Sequence, residues 1–426
     1  MKNGRNYPLL LAGQFLSAFG DNAILAVIVG QLTRMQKSGV ITEETLRARS
    51  ALYTMLLFIP YIFLAPLAGY LNDRYAKTTW LVGGNAVKLL GTMVCGLSIW
   101  LGYEWQIPGY LIVGVGSCLY GPAKYGILPE ILASDRLVKA NGTVELLTLL
   151  AIIVGAVGGA AMIDQLSLET CYAVLLGVFG LSLALNRAMH ATRGNPMVQL
   201  SESVAGFGTH CMNLFRDRRL ARVLVGTGLF WVCGAAMKIN FQAWGLGVLN
   251  LSTNLQVSLL GLWLSVGVMA GSMLAGHLHR VGDLSWTRRY GFLLVATLGL
   301  IGTVGVVPWL TGTLMIGEWT FFPWVVCLLV SAGFAAGLFL IPLNAALQAE
   351  SDSTKLGKTI AVQNLIDNIG MLLAGGLVSA CVASERLVGV KIGAGQVFFV
   401  LAGMVLLILA WLRFPNRVGG DGAARG

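Results

Sequence analysis

Charged side chains are scarce in this sequence. Only 11% of its 426 residues are Asp, Glu, Lys or Arg, whereas 56% are hydrophobic. A soluble protein carries about 25% charged residues, so the shortage excludes a soluble globular chain. The apolar residues form continuous runs rather than an alternating pattern, which argues against a transmembrane barrel of strands.

Paired cysteines, metal-ligand clusters and nucleotide motifs are also missing. The seven cysteines are scattered without a CxxC pair, which is typical of small apolar residues. His277 and His279 alternate beside Arg280 and indicate a solvated basic edge rather than a metal site. Residues 357–359 (GKT) resemble the end of a phosphate loop, but position 352 is Asp instead of Gly. We therefore expect no cofactor, no metal and no enzyme activity, and we reject an ATP-driven pump.

Twelve apolar segments are long enough to cross a bilayer, which takes about 20 residues per helix. The first is not a cleaved signal peptide, because it is too long, lacks a small-residue cleavage site and contains Asp21. The sequence therefore predicts an all-α membrane protein with twelve transmembrane helices. The segments are centred near Val27, Leu57, Leu89, Val115, Ala151, Leu176, Leu229, Val266, Leu298, Leu328, Leu372 and Leu406.

The net charge of +10 is explained by the side of the membrane on which the basic residues fall. With the N-terminus inside, most Lys and Arg residues lie on inner loops and tails and few on outer loops. This asymmetry follows the positive-inside rule and predicts that both termini are cytoplasmic. It also removes the need for a nucleic-acid partner.

The second half of the chain repeats the first at an offset of about 220 residues, which indicates two parallel repeats. We predict an N-terminal six-helix bundle over residues 1–190 and a C-terminal six-helix bundle over 221–415. A basic cytoplasmic linker with affinity for anionic lipid headgroups joins them over 191–220, and a disordered tail covers 416–426. The corresponding residues, taken in order, are Pro122, Lys124, Glu130, Asn141 and Glu145 in the first half and Pro342, Asn344, Glu350, Asn364 and Asp367 in the second.

Six ionisable residues lie inside the predicted spans, where an ionised side chain costs at least about 2.5 kcal/mol. Asp21 shares one helical face with Gln14 and Ser17 through the spacing i, i+3, i+7. Such residues are candidates for substrate binding or gating, although fixed structural pairs are the alternative. The six are Asp21, Lys88, Lys124, Glu145, Lys238 and Asp367.

Estimated depths, with an error of about 5 Å, sort these charges into layers. Asp21 and Lys238 fall in the outer half, Lys124 and Glu145 fall in the inner half, and the other two lie nearer the middle. A pair that forms in one state and parts in another acts as a latch. A zwitterionic substrate could part the outer pair, with its cation on Asp21 and its anion on Lys238.

Local features add three structural expectations. Pro122 is expected to break the fourth span. Gly155, Gly158 and Gly159 predict a small-residue packing face on the fifth span. The outer loop between the first two spans is expected over Met35 to Arg49, with a short amphipathic turn around Thr42 to Leu46.

Residues 69–77 resemble the loop signature G-x-L-x-D-R-x-G-[RK] of the major facilitator superfamily. The matching residues are Gly69, Leu71, Asp73, Arg74 and Lys77, whereas Ala76 stands where Gly is usual. In that family the motif belongs to the inner gate. The resemblance therefore implies that Asp73 acts in conformational change rather than in substrate binding.

Apart from residues 419–426, essentially the whole chain resembles the lysophospholipid transporter family of Gram-negative inner membranes. The resemblance rests on residues 14–23 (QFLSAFGDNA), 122–128 (PAKYGIL), 139–142 (KANG), 342–345 (PLNA) and 361–364 (AVQN). It departs at Lys238, where Arg is expected; Lys keeps the charge but weakens bidentate phosphate binding. The polar residues that complete the candidate site are Gln14, Asn141, Asn344, Gln363 and Asn364.

This resemblance implies a major facilitator fold with two pseudo-two-fold-related bundles and a flippase function. The expected substrate is a lysophospholipid, chiefly 2-acyl-glycerophosphoethanolamine, moved to the cytoplasmic leaflet of the inner membrane. An acyltransferase/acyl carrier protein synthetase on that side would then restore the second acyl chain. The alternatives are a proton-coupled exporter of amphipathic drugs on the same fold and a non-transporting membrane scaffold.

Overall fold

The computed structural model describes residues 4–251, 254–316, 319–389 and 392–413. The predicted tail, 416–426, lies outside the described residues. The described residues divide into two compact units: those up to 216 with 351–370, and those from 217 to 350 with 371–413. The predicted division at residues 190 and 221 stays a prediction.

The first unit consists of helices joined mostly by short turns, and its longest connection covers residues 188–199. Its helices are α1 (Asn6–Lys37), α2 (Glu43–Phe63), α3 (Ala65–Arg74), α4 (Lys77–Gly96), α5 (Ser98–Leu101), α6 (Gln106–Gly126), α7 (Leu128–Ile131), α8 (Leu137–Gln165), α9 (Leu168–Arg187), α10 (Leu200–Ala205) and α11 (Phe207–Arg216). The first turns of α16 (Leu356–Val388), up to Gly370, also belong to this unit.

The second unit is helical as well, with one short hairpin. It contains α12 (Arg218–Gly247), α13 (Asn254–Leu278), α14 (Thr287–Thr303), α15 (Pro323–Glu350), the rest of α16 and α17 (Gln396–Trp411). Strands β1 (Leu314–Ile316) and β2 (Trp319–Phe321) pair antiparallel between α14 and α15. The all-α prediction is confirmed, and this hairpin is a detail that the apolar runs did not indicate.

Among the described residues, nine helices are long and apolar enough to cross a membrane. Helices α2 and α3 together form a tenth candidate span, which is bent by 59° where they meet. Pro66, in the first turn of α3, has no N–H to continue the preceding helix, and this explains the break. The shorter helices α14 and α17 cover the two remaining predicted segments, which are centred near Leu298 and Leu406.

Two local expectations are wrong. The outer loop is shorter than predicted, because α1 continues to Lys37 and α2 already begins at Glu43, where Thr42 caps it by accepting from the Thr45 N–H at 3.2 Å. Pro122 does not break the fourth span, since α6 runs through it to Gly126. A proline so near the helix end removes only one late hydrogen bond, so the helix tolerates it.

The small-residue face of α8 is confirmed and packs against α1. A Cβ atom added at Gly155 would lie 2.5 Å from the Phe19 carbonyl oxygen. One added at Gly159 would lie 2.4 Å from the Ala23 carbonyl oxygen. Both contacts are with backbone, which cannot move aside as a side chain does, so only glycine permits this close approach. The result is that the polar face of α1 is held rigidly beside α8.

Candidate substrate site and inner gate

Asp21 forms an ion pair with Lys88 inside the first unit. The Lys88 ammonium donates to Asp21 Oδ2 at 2.7 Å, and the Ser117 hydroxyl donates to the same oxygen at 3.1 Å. Lys88 is only 2% exposed, and its Nζ lies 5.1 Å from the centroid of the Tyr120 ring. The pair therefore joins α1, α4 and α6 at a place that water hardly reaches, where neither charge is stable alone.

Hydrogen bonds extend this pair to α9. Ser17 accepts from the Lys88 ammonium at 2.8 Å and donates to Asn85 Oδ1 at 2.8 Å. The Asn85 amide donates to the Ser182 hydroxyl at 2.7 Å, and Ser182 donates to the Gly13 carbonyl oxygen at 2.6 Å. We call Asp21, Lys88, Ser17, Asn85 and Ser182 the aspartate network. Such connected polar groups fix the helices in one arrangement.

A second group of polar residues lies two turns along α1. Lys124 donates to the Thr148 hydroxyl at 3.4 Å, and Thr148 donates to Gln14 Oε1 at 3.0 Å. Tyr125 donates to Glu145 Oε2 at 3.2 Å, while the Lys124 ammonium lies 4.6 Å from the centre of the Tyr125 ring. We call these five residues the lysine network. Its members come from α1, α6 and α8.

Three buried polar atoms in the two networks have no hydrogen-bond partner among the described residues: Gln14 Nε2, Asp21 Oδ1 and Glu145 Oε1. Buried polar groups are normally paired, and leaving one unpaired costs about 1–3 kcal/mol. Two of the three atoms are carboxylate oxygens that can accept from a cation, and the third is an amide that can donate to an anion. The networks can therefore bind a dipolar group without first breaking all their internal bonds.

The charge pairing differs from the predicted layers. The sequence predicts that Lys88 lies nearer the middle of the membrane than Asp21, yet the structure makes it the ion-pair partner of Asp21. A lysine side chain is long enough to bridge a difference in depth of about one turn. Lys238 is exposed on α12 in the second unit.

The remaining candidate residues lie on three helices. Asn141 is buried on α8 and donates to the Leu137 carbonyl oxygen of its own helix at 2.9 Å. Asp367 is buried on α16, within the part that belongs to the first unit, and Gln363 and Asn364 are partly buried there. Asn344 is buried on α15 in the second unit.

Two residues of the loop motif, Asp73 and Gly69, contact the first turn of α16. Asp73 is buried, and its two carboxylate oxygens accept from the Gly357 N–H at 2.7 Å and from the Lys358 N–H at 3.1 Å. These N–H groups have no partner inside a helix, and the positive end of the helix dipole favours a carboxylate there. A Cβ atom at Gly69 would lie 2.9 Å from Lys358 Cα, so this residue must be small.

The rest of the motif faces other partners. Lys77 forms an ion pair with Glu130, just beyond α6. Arg74 donates to the Val198 carbonyl oxygen at 3.1 Å. Within the motif, Asp73 is thus a helix cap, while the two cations hold neighbouring segments.

Comparison with known proteins agrees with this architecture. Residues 10–375 match the family model of the Major Facilitator Superfamily. The lysophospholipid transporter LplT of Photorhabdus laumondii is 32% identical over 418 residues, which cover 97% of each chain. LplT of Serratia proteamaculans is 34% identical over 382 residues, 89% of each chain. The chain belongs to the lysophospholipid transporter family of the Major Facilitator Superfamily.

Solved structures of this superfamily share the fold at low identity. The human organic anion transporter MFSD10 has a TM-score of 0.75 at 14% identity, with 96% of this chain and 99% of that chain covered. The fucose:proton symporter FucP of E. coli has a TM-score of 0.71 at 12% identity, with coverages of 97% and 100%. The predicted major facilitator fold is thus confirmed, and the chain is a multi-pass membrane protein.

Sequence reasoning missed several members of both networks as site residues. Ser182, Thr148 and Tyr125 were not singled out, although each pairs with a predicted residue or its neighbour. The signal was present but weak, because the hydroxyl groups of Ser and Thr in membrane-spanning helices often bond only to their own helix. Only the packing of α1, α4, α6, α8 and α9 against one another shows which hydroxyls complete the networks.

Proposed function

We propose that this chain moves lysophospholipids, chiefly 2-acyl-glycerophosphoethanolamine, across the bacterial inner membrane to the cytoplasmic leaflet by alternating access. The observation that carries the proposal is the polar face of α1. It contributes residues to two networks, each of which contains a carboxylate and an ammonium. It also carries an unpaired donor, Gln14 Nε2, and an unpaired acceptor, Asp21 Oδ1. The names of the curated relatives support the lysophospholipid as substrate.

The headgroup of this substrate matches the aspartate network. Its ammonium can replace Lys88 on Asp21, and its phosphate can then receive the released Lys88 ammonium. Both protein charges keep a partner during this exchange, so neither pays the full cost of burial alone. Lys124 on α6 offers a second cation for the phosphate, because it is connected through Thr148 to Gln14, two turns along α1 from Asp21. Lys238 remains a predicted anion-binding residue of the second unit.

The proposed inner gate is the contact between Asp73 and the first turn of α16. While Asp73 accepts from the Gly357 and Lys358 N–H groups, the first turn of α16 is held against the end of α3. We propose that this cap forms in one state of the transport cycle and opens in the other, which is a bistable contact of the kind that alternating access needs.

The cytoplasmic side is the proposed destination. With both termini cytoplasmic, the lysophospholipid would be released there to an acyltransferase/acyl carrier protein synthetase that restores its second acyl chain.

The second candidate function is a proton-coupled exporter of amphipathic drugs. The unpaired oxygens of Asp21 and Glu145 favour it, because buried carboxylates can carry protons.

Reconstitution separates these functions. Proteoliposomes that contain fluorescent lysophosphatidylethanolamine should show protein-dependent inward movement without an imposed ion gradient. The Asp21→Asn variant should lose about tenfold or more of this rate, since about 1.4 kcal/mol of lost binding already gives a factor of ten. The matched control is Asp164→Asn, an exposed carboxylate at the end of α8, which should transport normally.

Two outcomes would contradict the proposal. Outward movement that requires a proton gradient would favour the exporter. Full activity of a well-expressed Asp21→Asn variant would remove the aspartate network from substrate binding.

A further inference from the structure

The segment between α9 and α12 exposes apolar side chains on its outer face. On α11, Phe207 and Leu214 are buried, whereas Met212 and Phe215 are 53% and 43% exposed. Before α10, Met197 is 82% exposed. An amphipathic helix on the surface of a soluble protein exposes polar residues on that side. The exposed apolar side chains therefore indicate that an apolar surface covers them.

Basic residues border this face. Arg193 and Arg216 are exposed within the segment, against one exposed carboxylate at Glu202. At its two ends lie the exposed Arg187 and Arg218, with Asp217 beside the latter. Apolar side chains flanked by arginines are typical of helices that lie in the interface of an anionic membrane.

The opposite edge of the segment is hydrogen-bonded to the loop motif. The Lys77 N–H donates to the Thr192 hydroxyl at 3.1 Å, and the Asn195 N–H donates to the Asp73 carbonyl oxygen at 3.1 Å. A Cβ atom at Gly194 would lie 2.6 Å from the Arg74 carbonyl oxygen, so the chain passes very close to the motif.

A further contact fixes α11 to α16. His210 Nε2 lies 3.0 Å from the Thr359 hydroxyl, in the turn that Asp73 caps. These bonds hold the segment at the ends of membrane-spanning helices, α4 and α16, which is the level of the lipid headgroups.

We propose that residues 188–216, the gate strap, bind the anionic phospholipid leaflet through Met197, Met212, Phe215 and their neighbouring arginines. An anionic lipid surface is the expected binding partner, because the strap lies at the helix ends and is positively charged. Because the other edge of the strap contacts Asp73, Lys77 and Thr359, lipid binding also steadies the inner gate. This role is additional to transport and does not depend on the identity of the transported lipid.

Hydrogen exchange on the full-length protein tests the proposal. The protein is placed in nanodiscs of phosphatidylcholine alone or with about one third phosphatidylglycerol, which supplies the surface charge. Peptides from 197–216 should exchange several-fold more slowly in the anionic discs. Peptides around Asp73 and Thr359 should follow in the same direction.

Two variants locate the effect. Met212→Gln with Phe215→Gln and Arg216→Gln should abolish the difference between the discs. Val306→Gln with Trp309→Gln changes two exposed apolar residues of the second unit and should leave the difference intact. A strap variant that misfolds is recognised by faster exchange in α1 and α8, and Arg193→Gln with Arg216→Gln then serves as the milder test.

Equal exchange of the strap in both kinds of disc would overturn the proposal. Protection that depends on protein concentration rather than on lipid charge would also overturn it and would assign the face to a second copy of the chain. Neither result bears on the transport proposal, because the strap variants leave both polar networks unchanged and are assayed for transport separately.

Discussion

Replacing Lys88 with Met removes the cation from Asp21 and retains most of the side-chain volume. At 2.7 Å and an effective dielectric constant of about 20, the attraction in this pair is about 6 kcal/mol. Desolvation of the two ions cancels much of that gain, so the intact pair contributes little net stability. The single variant, however, leaves Asp21, whose side chain is only 14% exposed, without its cation, and we expect a loss of about 3–5 kcal/mol.

Adding Asp21→Asn to Lys88→Met removes the uncompensated charge. The double variant should therefore regain most of the lost stability, and the double-mutant cycle should give a coupling energy of at least about 2 kcal/mol. Transport of lysophosphatidylethanolamine should remain lost in both variants, because the exchange of partners needs both charges. Stability is measured by denaturant unfolding in detergent and transport in proteoliposomes.

Two results would refute this reasoning. A Lys88→Met variant as stable as the unmodified protein would show that Asp21 has no need of this cation. A double variant that transports normally would show that the pair is a structural connection between α1 and α4 and has no part in substrate passage.

Three further predictions test the packing, the gate and the strap. Gly159→Leu should prevent correct folding, because its Cβ would lie 2.4 Å from a backbone oxygen, whereas Gly177→Leu, with open space around it, should fold; size-exclusion chromatography distinguishes them. Asp73→Ala should cost about 1 kcal/mol of cap energy and speed hydrogen exchange in the first turn of α16 about fivefold, and unchanged exchange would contradict the cap. Burial, with Lys358 and Lys355 nearby, lowers the pKa of His210 to about 4, so its contribution to stability is full above pH 6.5 and declines as the pH falls towards 4. Exchange in α11, corrected for intrinsic rates, should rise over that range, and His210→Gln should remove the dependence.

Much of the fold is encoded locally and was predictable. Each span is a continuous apolar run, and a backbone in hydrocarbon must satisfy its own hydrogen bonds, so helices follow directly. The glycine face of α8 was also readable, since its spacing brings Gly155 and Gly159 to one side of the helix. The break at Pro66 and the unbroken course through Pro122 were not, because they depend on where each proline lies relative to its helix end.

The candidate site was predictable only in part. The cost of burying a charge identified Asp21, Lys88, Lys124 and Glu145 as residues that need partners. The sequence left the partner of Lys88 open, since depth along a helix does not reveal which helices are neighbours. The relation of Lys238 to the other charges stays a prediction.

By itself, the sequence determined that the chain crosses a membrane many times and that a few charges lie within it. Both conclusions follow from the free energy of placing each residue in hydrocarbon or water, which depends on residue type and local run length. The tertiary structure alone decided that Lys88 neutralises Asp21, that Asp73 caps α16 and that the strap lies on the gate motif. These contacts join residues 67 to 284 positions apart, and only the packing of whole helices brings such residues within reach of a hydrogen bond.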